Sequence, residues 1–237
     1  MSGHSKWANI HRKKEANDKV KGKIFTKMGS LITVAVVKGG GIGDPDKNFA
    51  LRLAVDKARS VNMPRENIDR AIEKGMGKGG GQTLAELTIE GFGPEGVMVV
   101  VEAVTDNRNR TVAELRTLME KMGGRMGEPG SVMYQFERCG IIHFQGTVAD
   151  QVELTLIDLG MIDMEVDTEG GVVYTHPDSL HAVQTELAAQ GLSEVEGSLG
   201  YRPKSTTTVV KREAVEAFLE AVAEYDDTQE VYATLAE

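Results

Sequence analysis

Apolar residues recur at helical spacing through the first third of the chain. The first predicted helix spans residues 17 to 38, and its apolar residues follow one another at intervals of 4, 4, 3 and 4. They are Val20, Ile24, Met28, Leu31 and Ala35. This is the period of an amphipathic helix that buries one stripe.

Two further helices and two glycine-rich stretches complete this part. A helix is predicted over residues 46 to 61, and another over residues 64 to 74 with Pro64 at its start and Gly75 just past its end. The glycine-rich residues 39 to 43 and 75 to 81 are poor helix and strand formers. We therefore predict a three-helix domain over residues 1–80, followed by a linker.

After Gly81 the pattern changes to short strands that alternate with helices. The order strand, helix, strand, strand, helix, strand over residues 140 to 196 is that of a ferredoxin-like domain. The flanking residues repeat this order, with strands predicted at residues 84–92, 97–105, 132–136, 206–210 and 230–234 and helices at 110–122 and 212–224. The predicted fold is therefore multidomain, α and α+β, with an N-terminal three-helix domain and two ferredoxin-like domains. The discontinuous domain comprises residues 82–137 and 204–237, and the domain inserted in it comprises residues 138–203.

Charge divides the chain at the same linker. The 237 residues have a formal net charge of −9, yet residues 1–80 contain 17 Lys and Arg against 8 Asp and Glu. The first segment is therefore +9 and the remainder −18. Such asymmetry indicates a polyanion-binding part attached to a body that polyanions would avoid.

Other classes of protein are disfavoured by what the sequence lacks. No apolar run approaches the ~18 residues of a membrane span, and no secretory signal is recognisable. The single Cys139 has no cysteine partner for a disulfide or a zinc site. We therefore expect a cytoplasmic protein that needs no cofactor or metal and contacts no membrane.

The basic residues of the first segment are suited to phosphate binding. Lys19, Lys23 and Lys27 lie on one flank of the predicted apolar stripe, at a rise of ~6 Å each, which resembles the spacing of phosphates along a strand. Further candidates lie upstream, namely Lys6, Trp7, His11, Arg12, Lys13 and Lys14. The indole of Trp7 could stack on a base. Because no base-reading signature accompanies them, we predict nucleic-acid binding without sequence recognition by these residues.

Several segments, in order, resemble the YebC/PmpR family of probable transcriptional regulators. They are residues 3–10 (GHSKWANI), 22–27 (GKIFTK), 62–64 (NMP), 67–72, 90–94 (EGFGP), 105–111 (TDNRNRT) and 130–132 (GSV). The resemblance implies a three-domain cytoplasmic protein with a non-enzymatic role in gene expression. Some members are described as DNA-binding repressors, whereas others are associated with ribosomes and with relief of stalling, and mitochondrial relatives activate translation.

Two polar constellations in the second half leave alternatives open. In the segment 106–111, Asp106 or Asn109 could cap a helix, or Arg108 and Arg110 could hold a phosphate of RNA or of a small ligand. The alternating acids at 163, 165, 167 and 169 are typical of a solvated strand face, or of a surface that docks a basic protein partner.

The sequence offers little for catalysis. The five histidines lack metal-site spacing, and no nucleophile motif is present. The basic segment predicts a nucleic-acid-binding protein, and the family resemblance implies a regulator of gene expression, specifically a DNA-binding transcriptional regulator. The first alternative is a ribosome-associated translation factor that contacts rRNA or tRNA, and the second is a small-ligand-binding protein or enzyme whose basic patch is incidental.

Overall fold

The computed structural model describes residues 18–78 and 84–236. Its N-terminal part contains three helices, α1 (Asp18–Lys38), α2 (Phe49–Ser60) and α3 (Arg65–Gly75). Ile24, Met28 and Ala35 are buried, as the stripe predicts, and Ile32 and Leu51 complete the centre of this core. The apolar period of α1 therefore records its packing against α2 and α3.

Two local features fix the geometry of these helices. The Asn48 side chain accepts from the Leu51 N–H at 3.1 Å and donates to the Ala35 carbonyl at 3.0 Å, so it caps α2 and joins it to α1. At the end of α3, a Cβ added to Gly75 would lie 2.6 Å from Val36 Cβ. Glycine at this position therefore permits close approach of α3 to α1.

The remainder of the described chain forms two antiparallel four-stranded sheets. In chain order the elements are β1 (Ala85–Phe92), β2 (Met98–Thr105), α4 (Arg108–Lys121), β3 (Arg125–Met126), β4 (Phe136–Gln145), α5 (Asp150–Asp158), β5 (Met161–Val166), β6 (Gly170–Thr175), α6 (Leu180–Ala189), β7 (Ser193–Pro203), α7 (Arg212–Glu224) and β8 (Thr228–Ala233). The predicted mixed α+β fold with a helical N-terminal part is confirmed.

The second sheet, in the order β5-β6-β4-β7, has the predicted ferredoxin-like topology. The strands of the β4-α5-β5 unit are separated by β6, which is the split βαβ arrangement. Helices α5 and α6 cover one face, and Leu156, Leu180 and Leu187 pack there against Ile142 and Phe144. Ile142 and Phe144 are two residues apart in β4, and they share this face because successive side chains of a strand point to opposite faces of the sheet.

The first sheet, in the order β3-β1-β2-β8, is a permuted version of the same arrangement. The strands of the β2-α4-β3 unit are separated by β1, which comes before the unit in the chain. Helices α4 and α7 cover one face, with Leu115 and Phe218 packed on Val99 and Val101. Val100 is buried on the other face, so the apolar run in β2 reflects a strand covered on both sides.

Two predicted strands of this sheet are wrong. Residues 206–210 contribute only a single bridge from Thr207 to Leu235, although their β-branched composition is typical of strands. Residues 132–136 form a short 3₁₀ turn, Met133–Gln135, before β4 begins. The two-residue strand β3 and the leading strand β1 occupy the sheet positions that the sequence had assigned to these segments.

The elements of the two sheets are interleaved in the chain, since β4 to β7 lie between β3 and β8. Strand β4 starts at Phe136, which pairs with Pro203 at the end of β7. The exact domain limits of 82–137 with 204–237, and 138–203, stay a prediction.

Candidate nucleic-acid interface

The predicted phosphate-binding residues fall into two groups in the structure. The tail candidates lie outside the described residues, namely Lys6, Trp7, His11, Arg12, Lys13 and Lys14. Lys19 lies in the first turn of α1, and its side chain is also outside the described part. Among these candidates, the structure therefore describes the surroundings of Lys23 and Lys27 only.

Both of these lysines contact the end of α7. Lys23 Nζ lies 2.8 Å from Asp226 Oδ1, and Lys27 Nζ donates to the Ala223 carbonyl oxygen at 2.7 Å. The last carbonyls of a helix carry partial negative charge, so Lys27 satisfies one of them. The hydrogen bond to Asp226 raises the pKa of Lys23. Two members of the predicted lysine row therefore dock α1 onto the α+β body.

The docking contact of Lys23 is weak in isolation. Its side chain is 64% exposed and that of Asp226 75% exposed. Exposed pairs of this kind contribute about 0–1 kcal/mol and are screened by salt. Lys23 can therefore exchange this carboxylate for another anion at low energetic cost.

Two further lysines of the helical part reach the first sheet. Lys38 forms an ion pair with Glu86 of β1, and Lys57 of α2 forms one with Glu230 of β8. Part of the positive excess of residues 1–80 is thus balanced by the acidic body. The two members of such an ion pair lie far apart in the sequence, by 203 positions for Lys23 and Asp226. The net charge of a sequence segment therefore does not reveal which of its cations are paired.

Four further cations of the described helical part pair with acids of the same part. Lys47, Arg52, Arg59 and Arg65 lie within 4 Å of the nearby carboxylates Asp44, Asp46, Asp56 and Asp69 respectively. Arg70, Lys74 and Lys78 differ, because they are exposed and form no ion pair with a residue of 18–78 or 84–236. These three residues, which we call the α3 cations, follow one another at intervals of four. The sequence does not single them out, because three acids lie on the same segment.

The segment 106–111 has a structural role in the described chain. Asn107, rather than the predicted Asp106 or Asn109, caps α4 by accepting from the Arg110 N–H at 3.1 Å. The Arg110 guanidinium contacts Asp227 at 3.1 Å and Asp106 at 3.0 Å, and the hydrogen bond to Asp227 raises its pKa.

Asp227 also accepts from Thr111 Oγ1 at 2.6 Å, so Arg110 belongs to a network that ties α4 to the segment after α7. Arg108 is exposed in the first turn of the helix. A phosphate contact by Arg108 and Arg110 stays a prediction.

A cleft of about 690 Å³ lies where the helical part meets both sheets. Its charged lining contains four carboxylates, Asp56, Glu194, Glu196 and Glu230, against Lys27 and Lys57. The cleft is therefore unfavourable for a polyanion, because like charges in a concave site repel phosphate.

The single cysteine does not provide a reactive nucleophile. Cys139 is fully buried in β4, and burial raises the pKa of its thiol to about 12. Because the thiolate is the nucleophilic form, this side chain is chemically inert at neutral pH.

Among residues 18–78 and 84–236, no group of three or more His, Cys, Asp or Glu side chains is arranged to hold a metal ion. In those residues no helix has the length and hydropathy needed to cross a bilayer.

The structure thus defines a three-part protein, in which a basic helical part is docked on two interleaved α+β sheets with acidic surfaces. Residues 5–78 match the family model of the TACO1/YebC protein N-terminal domain, and residues 84–235 match that of the TACO1/YebC second and third domain. The chain belongs to the TACO1/YebC family, as its sequence motifs indicate.

Similar proteins extend over nearly the whole chain. A probable transcriptional regulatory protein of Desulfitobacterium hafniense is 44% identical over 240 residues, covering 98% of this chain and 94% of its own length. One from Chloroflexus aurantiacus is 43% identical over 241 residues, covering 99% and 95%. The crystal structure of a conserved hypothetical protein from Aquifex aeolicus is 38% identical, with a TM-score of 0.83 and coverage of 92% and 91%.

Proposed function

We propose that this protein is a nucleic-acid-binding regulator of gene expression, most specifically a DNA-binding transcriptional regulator without catalytic activity. The observation that carries the proposal is the division of charge into a +9 helical segment and a −18 body. The names of the relatives, probable transcriptional regulatory proteins, support the same role. A regulator of this kind works in the cytoplasm and requires no cofactor.

The contacts are made to phosphates by the helical part. The tail residues Lys6, Arg12, Lys13 and Lys14 with Lys19 supply cations, His11 adds a donor, and Trp7 stacks on a base. Lys23 and Lys27 also contact phosphates once they release Asp226 and the Ala223 carbonyl. For Lys23 the free energy lost on release is small, because the ion pair is exposed. The α3 cations extend this surface, because they are exposed and form no ion pair with a residue of the described chain.

A ribosome-associated translation factor is the second candidate, and one observation favours it. Helix α1 is packed against α2, α3, β2 and β8, so it cannot enter a DNA major groove without leaving the body. A basic surface on a docked helix can contact the phosphate backbone of a nucleic acid without entering a groove. Such contacts are suited to folded RNA, because proteins recognise it by its shape and its phosphate positions. Co-sedimentation of the untagged protein with ribosomes in a DNase-treated extract tests this candidate. Sedimentation as free protein, together with tight binding to promoter fragments, would contradict it.

A salt titration tests phosphate binding by the α3 cations. The affinity for a labelled DNA duplex and a labelled RNA hairpin is measured against salt concentration, for the wild type and the triple variant Arg70→Gln, Lys74→Gln, Lys78→Gln. Removing three phosphate contacts should flatten the slope of log K against log[salt] by roughly 2–3 units. The matched control replaces the exposed body residues Lys121, Lys204 and Lys211 with Gln and should leave the slope unchanged. Equal slopes in all three proteins would refute the role of the α3 cations.

A further inference from the structure

The segment between Cys139 and Tyr201 is unusual in charge. It contains 11 Asp and Glu residues and no Lys or Arg. Protein surfaces ordinarily mix both signs, and a large field of one sign is associated with steering of a partner. This segment supplies β5, β6, α5 and α6 and most of β4 and β7, and the arginines of the second sheet, Arg138 and Arg202, lie near the outer ends of β4 and β7.

The same part of the chain also exposes a group of large apolar side chains. Leu154 and Ile157 of α5 are 69% and 50% exposed, and Ile162 and Val166 of β5 are 38% and 60% exposed. We call these four residues the α5–β5 flank. Exposed apolar side chains that are concentrated in one short segment and surrounded by charge are typical of interaction sites.

Strand β5 is also an open edge of its sheet. It pairs only with β6 among the described strands, so alternate N–H and C=O groups along its other side have no strand partner there. Asp163 of β5 forms an ion pair with Arg202, whose guanidinium lies over the Tyr174 ring. This contact holds Asp163 against the face of the sheet. Its Oδ1 accepts from the Met164 N–H at 2.9 Å, so an added strand would use the remaining edge groups beside the exposed Ile162 and Val166.

We propose that the α5–β5 flank and the β5 edge dock an extended, basic segment of a partner protein as an additional strand. Main-chain hydrogen bonds of the added strand would supply affinity, and its alternate apolar side chains would contact the exposed apolar residues. Its lysines or arginines would face the acids of this segment. A second copy of this chain fits poorly, because pairing β5 with itself would place acids against acids.

This surface is independent of the proposed nucleic-acid interface. It lies on the second sheet, whereas the phosphate-binding residues belong to the helical part. Nucleic acid is repelled here, and a basic protein is attracted. Failure of one proposal therefore leaves the other standing.

The test uses a fluorescein-labelled peptide of seven residues that alternates Lys and Val, with fluorescence anisotropy on the full chain at physiological ionic strength. A peptide of equal charge that alternates Lys and Ser is the matched probe. The Lys-Val peptide should bind, and Val166→Lys should weaken it by about tenfold, because an apolar contact at the end of β5 is lost and a like charge is placed beside the peptide. The control Val210→Lys changes a 93% exposed apolar residue outside the flank and should alter the affinity less than about twofold.

Four outcomes would overturn the proposal. Equal binding of the two peptides would show attraction by charge alone. An equal effect of the two Lys substitutions, or no binding of the Lys-Val peptide, would remove the docking surface. Dimerisation of the chain that Val166→Lys abolishes would identify a second copy as the occupant instead.

Discussion

The Glu90 carboxylate organises the loop between β3 and β4, and replacing it with glutamine should destabilise that loop measurably. Glu90 is only 8% exposed. Its Oε1 accepts from the Gly130 N–H at 2.5 Å, and its Oε2 accepts from the Val132 and Met133 N–H groups at 2.7 and 2.8 Å. One side chain of β1 therefore holds three backbone donors of the loop.

The expected cost follows from this geometry. In Glu90→Gln the amide oxygen can retain the two bonds that Oε2 makes, but the NH₂ group then faces the Gly130 N–H, donor against donor. The lost bond costs roughly 1 kcal/mol because Gly130 is exposed, and each retained bond loses charge assistance worth about 1 kcal/mol. We therefore expect a loss of about 3 kcal/mol in the free energy of local opening.

The effect should depend on pH with a defined sign. Burial raises the pKa of Glu90, but the three backbone hydrogen bonds lower it further, so the net shift is downward. A lowered folded-state pKa gives stability that is present above the unfolded value of about 4.3 and is lost as pH falls through the folded value. The advantage of the wild type over the variant should therefore be full at neutral pH and disappear in acid.

This prediction is tested by the hydrogen-exchange rates of the Gly130, Val132 and Met133 amides, which report the free energy of local opening. Urea unfolding reports the global free energy of unfolding in parallel. Glu102→Gln in β2 is the matched control, because burial raises the pKa of Glu102 and the sign of its pH dependence is reversed. The ionised form of Glu102 is destabilising because its carboxylate is buried. The stability of Glu102→Gln relative to the wild type should therefore increase as pH rises towards neutral. Unchanged exchange in Glu90→Gln at neutral pH, or a difference that does not vary with pH, would refute the reasoning.

Three further predictions concern the helical part and the buried thiol. Asp226→Asn should change the free energy of unfolding by less than about 1 kcal/mol and, by releasing Lys23, raise nucleic-acid affinity in a filter-binding assay; weaker binding would contradict it. Gly75→Ala places a Cβ against Val36 and should cost about 1–3 kcal/mol by thermal unfolding, whereas Gly22→Ala, with no atom within 4 Å, should be neutral or stabilising. Cys139 should react with a thiol reagent only after unfolding, and rapid reaction of the native protein would be inconsistent with its burial.

The sequence predicts the elements of this fold where a local pattern decides them. The apolar stripe of α1, the hairpin of β1 and β2 and the whole of α7 agree with the residues that the pattern indicates. The strand predicted at 206–210 fails because strand formation needs a partner edge, and β1 already fills the predicted position beside β2. The two-residue β3 carries no periodic signal.

The candidate site shows the same division between local and long-range information. Charge segregation was visible in the sequence, as was the flank on which Lys23 and Lys27 lie. Their contacts with Asp226 and the Ala223 carbonyl depend on the docking of α1 against α7, which is specified by packing between distant segments. The α3 cations become apparent only when the ion pairs of their neighbours are known.

Lysine footprinting of the full chain tests directly whether nucleic acid binds to the helical part. Acetylation of each lysine is measured by mass spectrometry with and without a bound DNA duplex or RNA hairpin. Nucleic-acid binding by the helical part predicts protection of Lys6, Lys13, Lys14, Lys19, Lys74 and Lys78, and no protection of the exposed body residues Lys121, Lys204 and Lys211. Protection of the body lysines, or of no lysine at all under binding conditions, would contradict the assignment of nucleic-acid binding to the helical part.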